Sequence, residues 1–351
     1  MSAPSLWPGR IGVVRLGGSR FSLLVDRRAL TVASVFFIIA AAVTVWSLSV
    51  GESHLAFSDV VAALTGNGDE GVRRIVVEWR LPRVLLAVAG GACLALSGAV
   101  FQTITRNPLG SPDIIGFNTG AYTGALVSLL VIDGGYLATV LGALLGGIAT
   151  GLVVYVLALR NGLHGYRLIV VGIGISSLLA AVNSYLMITA RVEEALAAAV
   201  WGAGSLSTAT WTDVVPVLAI LVVLTPALLV VHRSARLLLL GDEAARSRGV
   251  ALEPLRLLLL VLGVALTAAV TAVAGPIAFV SLLAPQLAIR LARTPAIPLM
   301  TSAFVGAALL AVSDLIARTV IAPSQLPVGV VTITVGGAYL VWLLITQARK
   351  A

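Results

Sequence analysis

The sequence predicts an all-α polytopic membrane protein with about ten transmembrane helices. Three observations predict it: 59% of the 351 residues are hydrophobic, only 11% are charged, and the mean hydropathy is +1.06. A soluble domain carries about 25% charged residues, and a disordered chain buries still less apolar surface, so both classes are excluded. At about 20 apolar residues per span, a chain of this length holds roughly ten spans and short loops. No room remains for a separate catalytic domain.

Taken in order, residues 1–28 carry Arg10, Arg15, Arg20, Arg27 and Arg28 ahead of the first apolar run. That segment is too long for a signal peptide and lacks the cleavage pattern. It is expected to be a cytoplasmic N-terminal segment, with residues 29–351 forming one ten-helix transmembrane domain. Apolar runs place spans at about 29–50, 82–104, 113–132, 136–159, 168–189, 213–232, 257–275, 277–292, 298–317 and 328–346. An even number puts both termini on one side. The segments 1–28, 105–112, 160–167, 233–256, 290–297 and 347–351 then share that side and hold 17 of the 23 basic residues. Basic loops stay in the cytoplasm, so both termini are expected there, in the inner membrane of a cell.

Ten of the 15 acidic residues fall on the opposite face, among them Glu52, Asp59, Glu193 and Asp314. The six outer arginines, Arg73, Arg74, Arg80, Arg83, Arg191 and Arg318, are therefore the unusual ones. The net charge of +8 marks cytoplasmic loops rather than a nucleic-acid surface. Gly116, Gly120 and Gly124 recur at four-residue spacing, as do Gly142 and Gly146 and then Gly147 and Gly151. Small residues on one face allow close helix approach, although in so glycine-rich a chain the spacing identifies no particular contact.

Several chemistries have no residues to carry them. Asp113, Asp133, Asp213 and Asp314 fall at or near expected span ends, so no buried relay of the kind an ion-coupled carrier uses is expected. The lone Cys93 permits neither an intrachain disulfide nor a thiolate cluster, and His54, His164 and His232 are scattered. No metal site, catalytic residue or bound cofactor is expected. A phosphate-binding loop needs Lys followed by Ser or Thr, yet the only lysine, Lys350, precedes Ala351. Driving energy must come from another polypeptide.

Three segments stand out. The first opens with RLPR, Arg80 to Arg83, and continues through GGACLALSGAVFQTITRNPLGSPDIIGFNTGA, Gly90 to Ala121. Pro108 and Pro112 break helical pairing where one span returns into the next. Gln102, Asn107 and Asn118 place amides beside the break, either to satisfy freed backbone groups or to border a cavity. The second is GDEAARSRGVALEPLR, Gly241 to Arg256. Asp242 and Glu243 suit a helix N-terminus and Gly249 its end, predicting a short surface helix over about 242–248. Such a helix is either a solvated loop or a plug for a cleft on a cytoplasmic partner. The third runs AGPIAFVSLLAPQLAIRLAR, Ala274 to Arg293, and then SDLIARTVIAPSQLPVGVVTITVGGAYLVWLLI, Ser313 to Ile345. Gly275, Pro276, Pro285 and Pro327 put further breaks at span ends.

The segments RLPR, SGAVFQTITRNPLGSPDIIGF, LGDEAARSRGV, AGPIAFVSLLAP, SDLIAR and QLPVGVVT resemble, in order, the iron-siderophore and vitamin B12 permease family of bacterial ABC importers. The likeness runs from about residue 30 to the C-terminus. The NPLGSPDIIGFNTGA and LPVGVVTITVGGAYLVWLLI stretches are most similar to ferric-enterobactin permeases. The resemblance implies the BtuC-like type II importer fold, two permease subunits around a pathway, two cytoplasmic ATPase subunits that hold ATP and magnesium, and a periplasmic or lipid-anchored binding protein. It assigns Arg80, Arg83 and Arg318 to docking of that binding protein, and Gly241, Asp242, Glu243, Ala245 and Gly249 to coupling with the ATPase, within a loop of about 233–256. It makes Trp201, in EEALAAAVWGAGS, part of a short outer helix near the pathway mouth. Gln102, Asn107, Pro108, Asn118, Gly275, Pro276, Gln286 and Pro327 are the remaining pathway or gating candidates. Two departures stand out: Ser281 and Gln286 replace the Gly and His of GFVGLxxPHxxR, and GGAY, Gly336 to Tyr339, replaces GAPxF. The GGAY form favours a heterodimer. The expected function is import of a ferric siderophore, with cobalamin or haem as alternative cargo and a secondary carrier as a distant alternative.

Overall fold

The computed structural model describes residues 11–16, 21–51, 55–159 and 165–348. Arg10, Arg20, Glu52, His54, Arg160, His164, Arg349 and Lys350, which entered the charge and histidine readings, lie outside them. A two-stranded antiparallel hairpin comes first, β1 (Ile11–Leu16) paired with β2 (Phe21–Asp26) in the register Ile11 to Asp26 and Leu16 to Phe21. Among the described residues, every element after it is a helix. Asp26 ends the hairpin and caps α1 (Arg27–Ser49), accepting the backbone N–H groups of Arg28 and Ala29 at 2.9 and 3.3 Å.

Short helices α2 (Phe57–Leu64) and α3 (Glu70–Arg73) lead into a π-helical segment, Arg74–Arg80, which runs directly into α4 (Leu81–Thr105). There follow α5 (Phe117–Leu126), extended by a π-helical turn at Val127–Val131, then α6 (Tyr136–Ala158), α7 (Gly165–Thr189), the short α8 (Val192–Gly202) and α9 (Trp211–Leu238). The surface helix α10 (Asp242–Arg246) precedes α11 (Leu252–Ala274), α12 (Val280–Ala292), α13 (Leu299–Thr319) and α14 (Val328–Ala348). Among the described residues seven helices are long and apolar enough to cross a bilayer, and three shorter apolar ones, α5, α12 and α14, bring the total to the expected ten.

Three boundaries differ from expectation by four residues or more, one of them the start of α11 at Leu252 rather than 257. The helix α9 continues six residues past its expected end at 232, through Arg233 and Arg236. Hydropathy reports where the membrane stops rather than where the helix stops, and basic side chains suit a helix C-terminus. The non-spanning stretch is correspondingly shorter than the expected 233–256. The span expected from 113 begins helically only at Phe117, after a non-helical approach.

The helix α4 is the axis of the molecule. It packs against α13, α11, α12 and α9, and most of its side chains are buried, whereas α1, α7 and α9 expose most of their apolar surface, as lipid-facing helices do. Lipid supplies no hydrophobic drive between helices, so contact depends on close backbone approach. At the α4–α13 crossing a Cβ on Gly91 would lie 2.2 Å from the Gly306 carbonyl oxygen, and one on Gly306 would lie 2.3 Å from that of Gly91. The recurring glycines make the α5–α6 crossing in the same way, with a Cβ on Gly124 falling 1.9 Å from the Gly142 oxygen. Substituting Gly91→Leu should lower stability by about 3 kcal/mol through overpacking against rigid backbone. Thermal unfolding in detergent checks it, with Gly337→Ala, which meets no atom within 4 Å, expected to be neutral.

Candidate functional site

Three clusters of polar side chains lie along the bundle. At the end that charge assigns to the outside, Arg80, Arg83 and Arg318 converge on the wall of a cleft of about 300 Å³, together with Gln325, Ser207 and Trp79. Arg83 Nε donates to Asp314 Oδ1 at 2.9 Å and its Nη1 to Gln325 Oε1 at 2.6 Å, while Arg318 Nη2 lies 2.7 Å from Asp314 Oδ2. Arg80 Nη1 donates to the Leu48 carbonyl at 2.8 Å. The helical spacing of 314 and 318 puts both on one face of α13. The three arginines are thus not free surface charges: Arg83 and Arg318 share the carboxylate of Asp314, which is 1% exposed. Their spacing in the sequence gave no sign of this, because Arg83 and Asp314 are 231 residues apart.

The second cluster lies at membrane depth. Arg106 adopts a left-handed conformation, φ 51°, at the end of α4 and turns the chain back into the bundle. By Asp113 the chain has climbed to the level of Gly98, where a Cβ would meet the Ser281 carbonyl at 1.6 Å. Gly98 is seven residues inside α4, about 10 Å at 1.5 Å per residue. A second break, 275–279, arrives from the other side between α11 and α12. The Asp113 carboxylate lies where the two breaks meet: it accepts the side-chain amide of Asn118 and, at 3.5 Å, the Ser281 hydroxyl, and it faces the Phe279 backbone N–H. Asp113 was expected near a span end, and its position here is a correction. A loop that re-enters the bundle carries its residues inward, which a hydropathy boundary does not register.

Asn118 completes the cluster by accepting the Thr271 hydroxyl at 3.1 Å. It also lines a cavity of about 580 Å³ with Thr119, Tyr122, Asn183, Met187 and Pro276. Tyr122 stacks on Trp201, with centroids 6.2 Å apart and planes within 7°, and its hydroxyl points to Met187 Sδ at 3.6 Å. A Cβ on Gly275 would lie 2.2 Å from the Trp201 carbonyl oxygen, and the Gly329 N–H, two residues after Pro327, donates to Gly204 at 3.1 Å. Asn118, Trp201, Gly275, Pro276 and the approach to α14 after Pro327 therefore gather near one cavity. Gln102 and Gln286 do not join it. Gln286 donates to Gln102 Oε1 at 2.7 Å and Gln102 to the Leu282 carbonyl at 3.0 Å, tying α4 to α12. Asn107 and Pro108 lie in the turn after Arg106, where Asn107 Oδ1 accepts the Leu109 N–H at 2.9 Å and so serves the backbone. Sequence reasoning missed Tyr122, Asn183 and Met187, which face the cavity but are single polar or polarizable residues in apolar runs.

The third cluster surrounds α10. Gly241, φ 103°, precedes it and Gly249, φ 79°, closes the following turn; the helix starts at the expected 242 and ends at Arg246, two residues before the expected 248. Ala245 is wholly buried beneath the helix and Glu243 points outward. Asp242 bonds Arg106 and, at 2.6 Å, Arg256 Nη2. Partial burial alone would raise the Asp242 carboxyl, but hydrogen bonds and charge from Arg106 and Arg256 outweigh it and hold the group below its ordinary value. Arg256 also lies 3.6 Å from Glu253.

Asp314→Asn removes the carboxylate that two buried guanidinium groups share. It should cost about 3 kcal/mol, read as a lower unfolding temperature in detergent, while Glu193→Gln on the exposed face of α8 should leave it unchanged.

Residues 38–346 match the model of the FecCD transport family. The chain is 44% identical over 328 residues to the ferric enterobactin transport system permease protein FepG of Escherichia coli, covering 93% of this chain and 99% of that one. It is 37% identical to the achromobactin transport system permease protein CbrC of Dickeya dadantii, over 93% and 95%, and 33% identical to the iron(3+)-hydroxamate import system permease protein FhuG of Bacillus subtilis, over 90% and 97%. A metal-chelate type ABC transporter solved in an inward-facing conformation superimposes with a TM-score of 0.80 at 26% identity, covering 91% of this chain and 99% of that one. The ordered motifs, the ten apolar helices and the broken segments at 106–116 and 275–279 are accounted for together by one conclusion: the chain belongs to the FecCD transport family.

Proposed function

We propose that this chain is one permease half of an ATP-driven importer that carries a ferric siderophore across the cytoplasmic membrane. The observation that carries the reading is α10, a five-residue helix held between two spans, with Glu243 and Arg246 exposed and Ala245 anchored below. That shape fits a cleft on a cytoplasmic ATPase. ATP and magnesium belong to that partner, and this chain contributes no catalytic group and binds no cofactor. Relatives of nearly equal length are named as permeases for ferric enterobactin, achromobactin and iron(3+)-hydroxamate, whose shared chemistry is chelated iron.

On this reading the cleft lined by Arg80, Arg83 and Arg318 receives acidic side chains of a periplasmic or lipid-anchored binding protein, and the complex contains a second, distinct permease subunit and two ATPase subunits. Charge complementarity there governs encounter and register. The chelate enters the cavity beside Asn118, Trp201 and Pro276, and both termini face the cytoplasm.

Reconstituting the chain into liposomes with its ATPase, second permease and binding protein should give accumulation of a radiolabelled ferric siderophore only when ATP is supplied on the ATPase side. Accumulation by this chain alone would refute the reading. In the same assay Gly249→Trp, which forces a bulky residue into a left-handed turn, should leave ATP hydrolysis in place and lower uptake by about tenfold.

A further inference from the structure

We infer that the Asp242 carboxylate, clamped between Arg106 and Arg256, is the grip through which α10 moves both walls of the membrane-depth cavity. The inference rests on the reading that α10 meets the ATPase. It names Arg106 and Arg256 as positioning residues, which neither the motifs nor the family match assigns.

The geometry is a closed circuit. One limb starts at Arg106, the residue that ends α4 in a left-handed conformation and aims the chain back into the bundle. It runs through the break to Asp113, which accepts the Asn118 side-chain amide. The other limb starts at Arg256, the fifth residue of α11, and follows that helix to Thr271, about 22 Å at 1.5 Å per residue. Thr271 donates to Asn118 Oδ1 at 3.1 Å. Both limbs leave one carboxylate at the cytoplasmic end and meet at one amide on the cavity wall.

The partners are suited to transmitting displacement. The side chain of Arg256 is 6% exposed, so its guanidinium cannot follow Asp242 by swinging through water and must carry its own helix with it. Arginine holds a carboxylate with a planar fork of fixed direction, which lysine, a point charge on a flexible stem, lacks. Arg106 is attached to backbone with no helical continuation, so a pull on its side chain reaches the break directly. Shared motion of α10, α4 and α11 follows from the two ion pairs of one carboxylate.

The test uses the reconstituted complex in a Cys93→Ala background with Ser184→Cys as a reporter on the cavity wall. ATP is expected to change the labelling rate of that cysteine severalfold. In Arg106→Gln the ATPase subunit should remain bound and active, while uptake falls about tenfold and the ATP-dependent change in labelling disappears. The double variant of Arg106→Gln with Asp242→Asn should be no worse than Asp242→Asn alone, since that variant already removes the Arg106 contact along with that of Arg256. Parental uptake with a parental labelling change in Arg106→Gln would overturn the inference. Loss of the ATPase subunit from Arg106→Gln would overturn it too, because the clamp would then serve docking alone. Arg246→Glu, on the exposed side of α10, tests the underlying reading separately: it should weaken retention of the ATPase subunit, and parental retention would sink that reading whatever Arg106 does.

Discussion

Asp113 holds together a structure that hydrocarbon would otherwise forbid. An unpaired peptide group costs several kcal/mol inside a bilayer, so non-helical backbone survives there only when protein surrounds it. This chain has two such stretches, 106–116 and 275–279, and the Asp113 side chain lies where they meet. The Phe279 N–H and the Ser281 hydroxyl of one turn toward the Asp113 carboxylate of the other. Local turns supply further partners, as where the Gly110 N–H donates to the Asn107 carbonyl and the Gly116 N–H to that of Asp113. Around this joint α4 supplies a glycine-lined flank, so that Ser281 lies directly on Gly98. A cavity at that depth follows from the same joint, because the broken helices leave space that intact ones would fill.

Charge is handled by one device at both ends of the bundle. A single carboxylate is shared by two arginines, Asp314 by Arg83 and Arg318 at one end and Asp242 by Arg106 and Arg256 at the other. The outer group is almost wholly buried and joins α4 to α13, which makes it chiefly a structural tie that also lines a cleft. The inner group is more open and joins a surface helix to two spans. Breaking the first costs stability; on the proposed mechanism breaking the second costs communication.

Much of this was legible beforehand, for physical reasons that also mark where legibility stops. Ten apolar runs yield ten helices because a bilayer demands long apolar stretches whatever their neighbours. The short helix beginning at Asp242 was readable from its acidic start and its terminal glycine. The burial of Arg83 and Arg318 was not, since it depends on a carboxylate brought in from a distant span. The depth of Asp113 was equally hidden, because a re-entrant loop and an ordinary loop have similar composition. Asn183 and Met187 acquire meaning only when α7 is laid beside α5. The hairpin from Ile11 to Asp26 had a signal that went unused: two runs of strand-forming residues flank Gly17 and Gly18.

Hydrogen exchange at Phe279, followed by mass spectrometry in the parent and in Asp113→Ala, tests the joint between the two breaks most directly. If Asp113 accepts that N–H, removing the carboxylate should strip about 1–3 kcal/mol of protection, a rise in exchange of about fivefold or more. Exchange at Phe279 that is slow and identical in both proteins would show that the two breaks are held by something else.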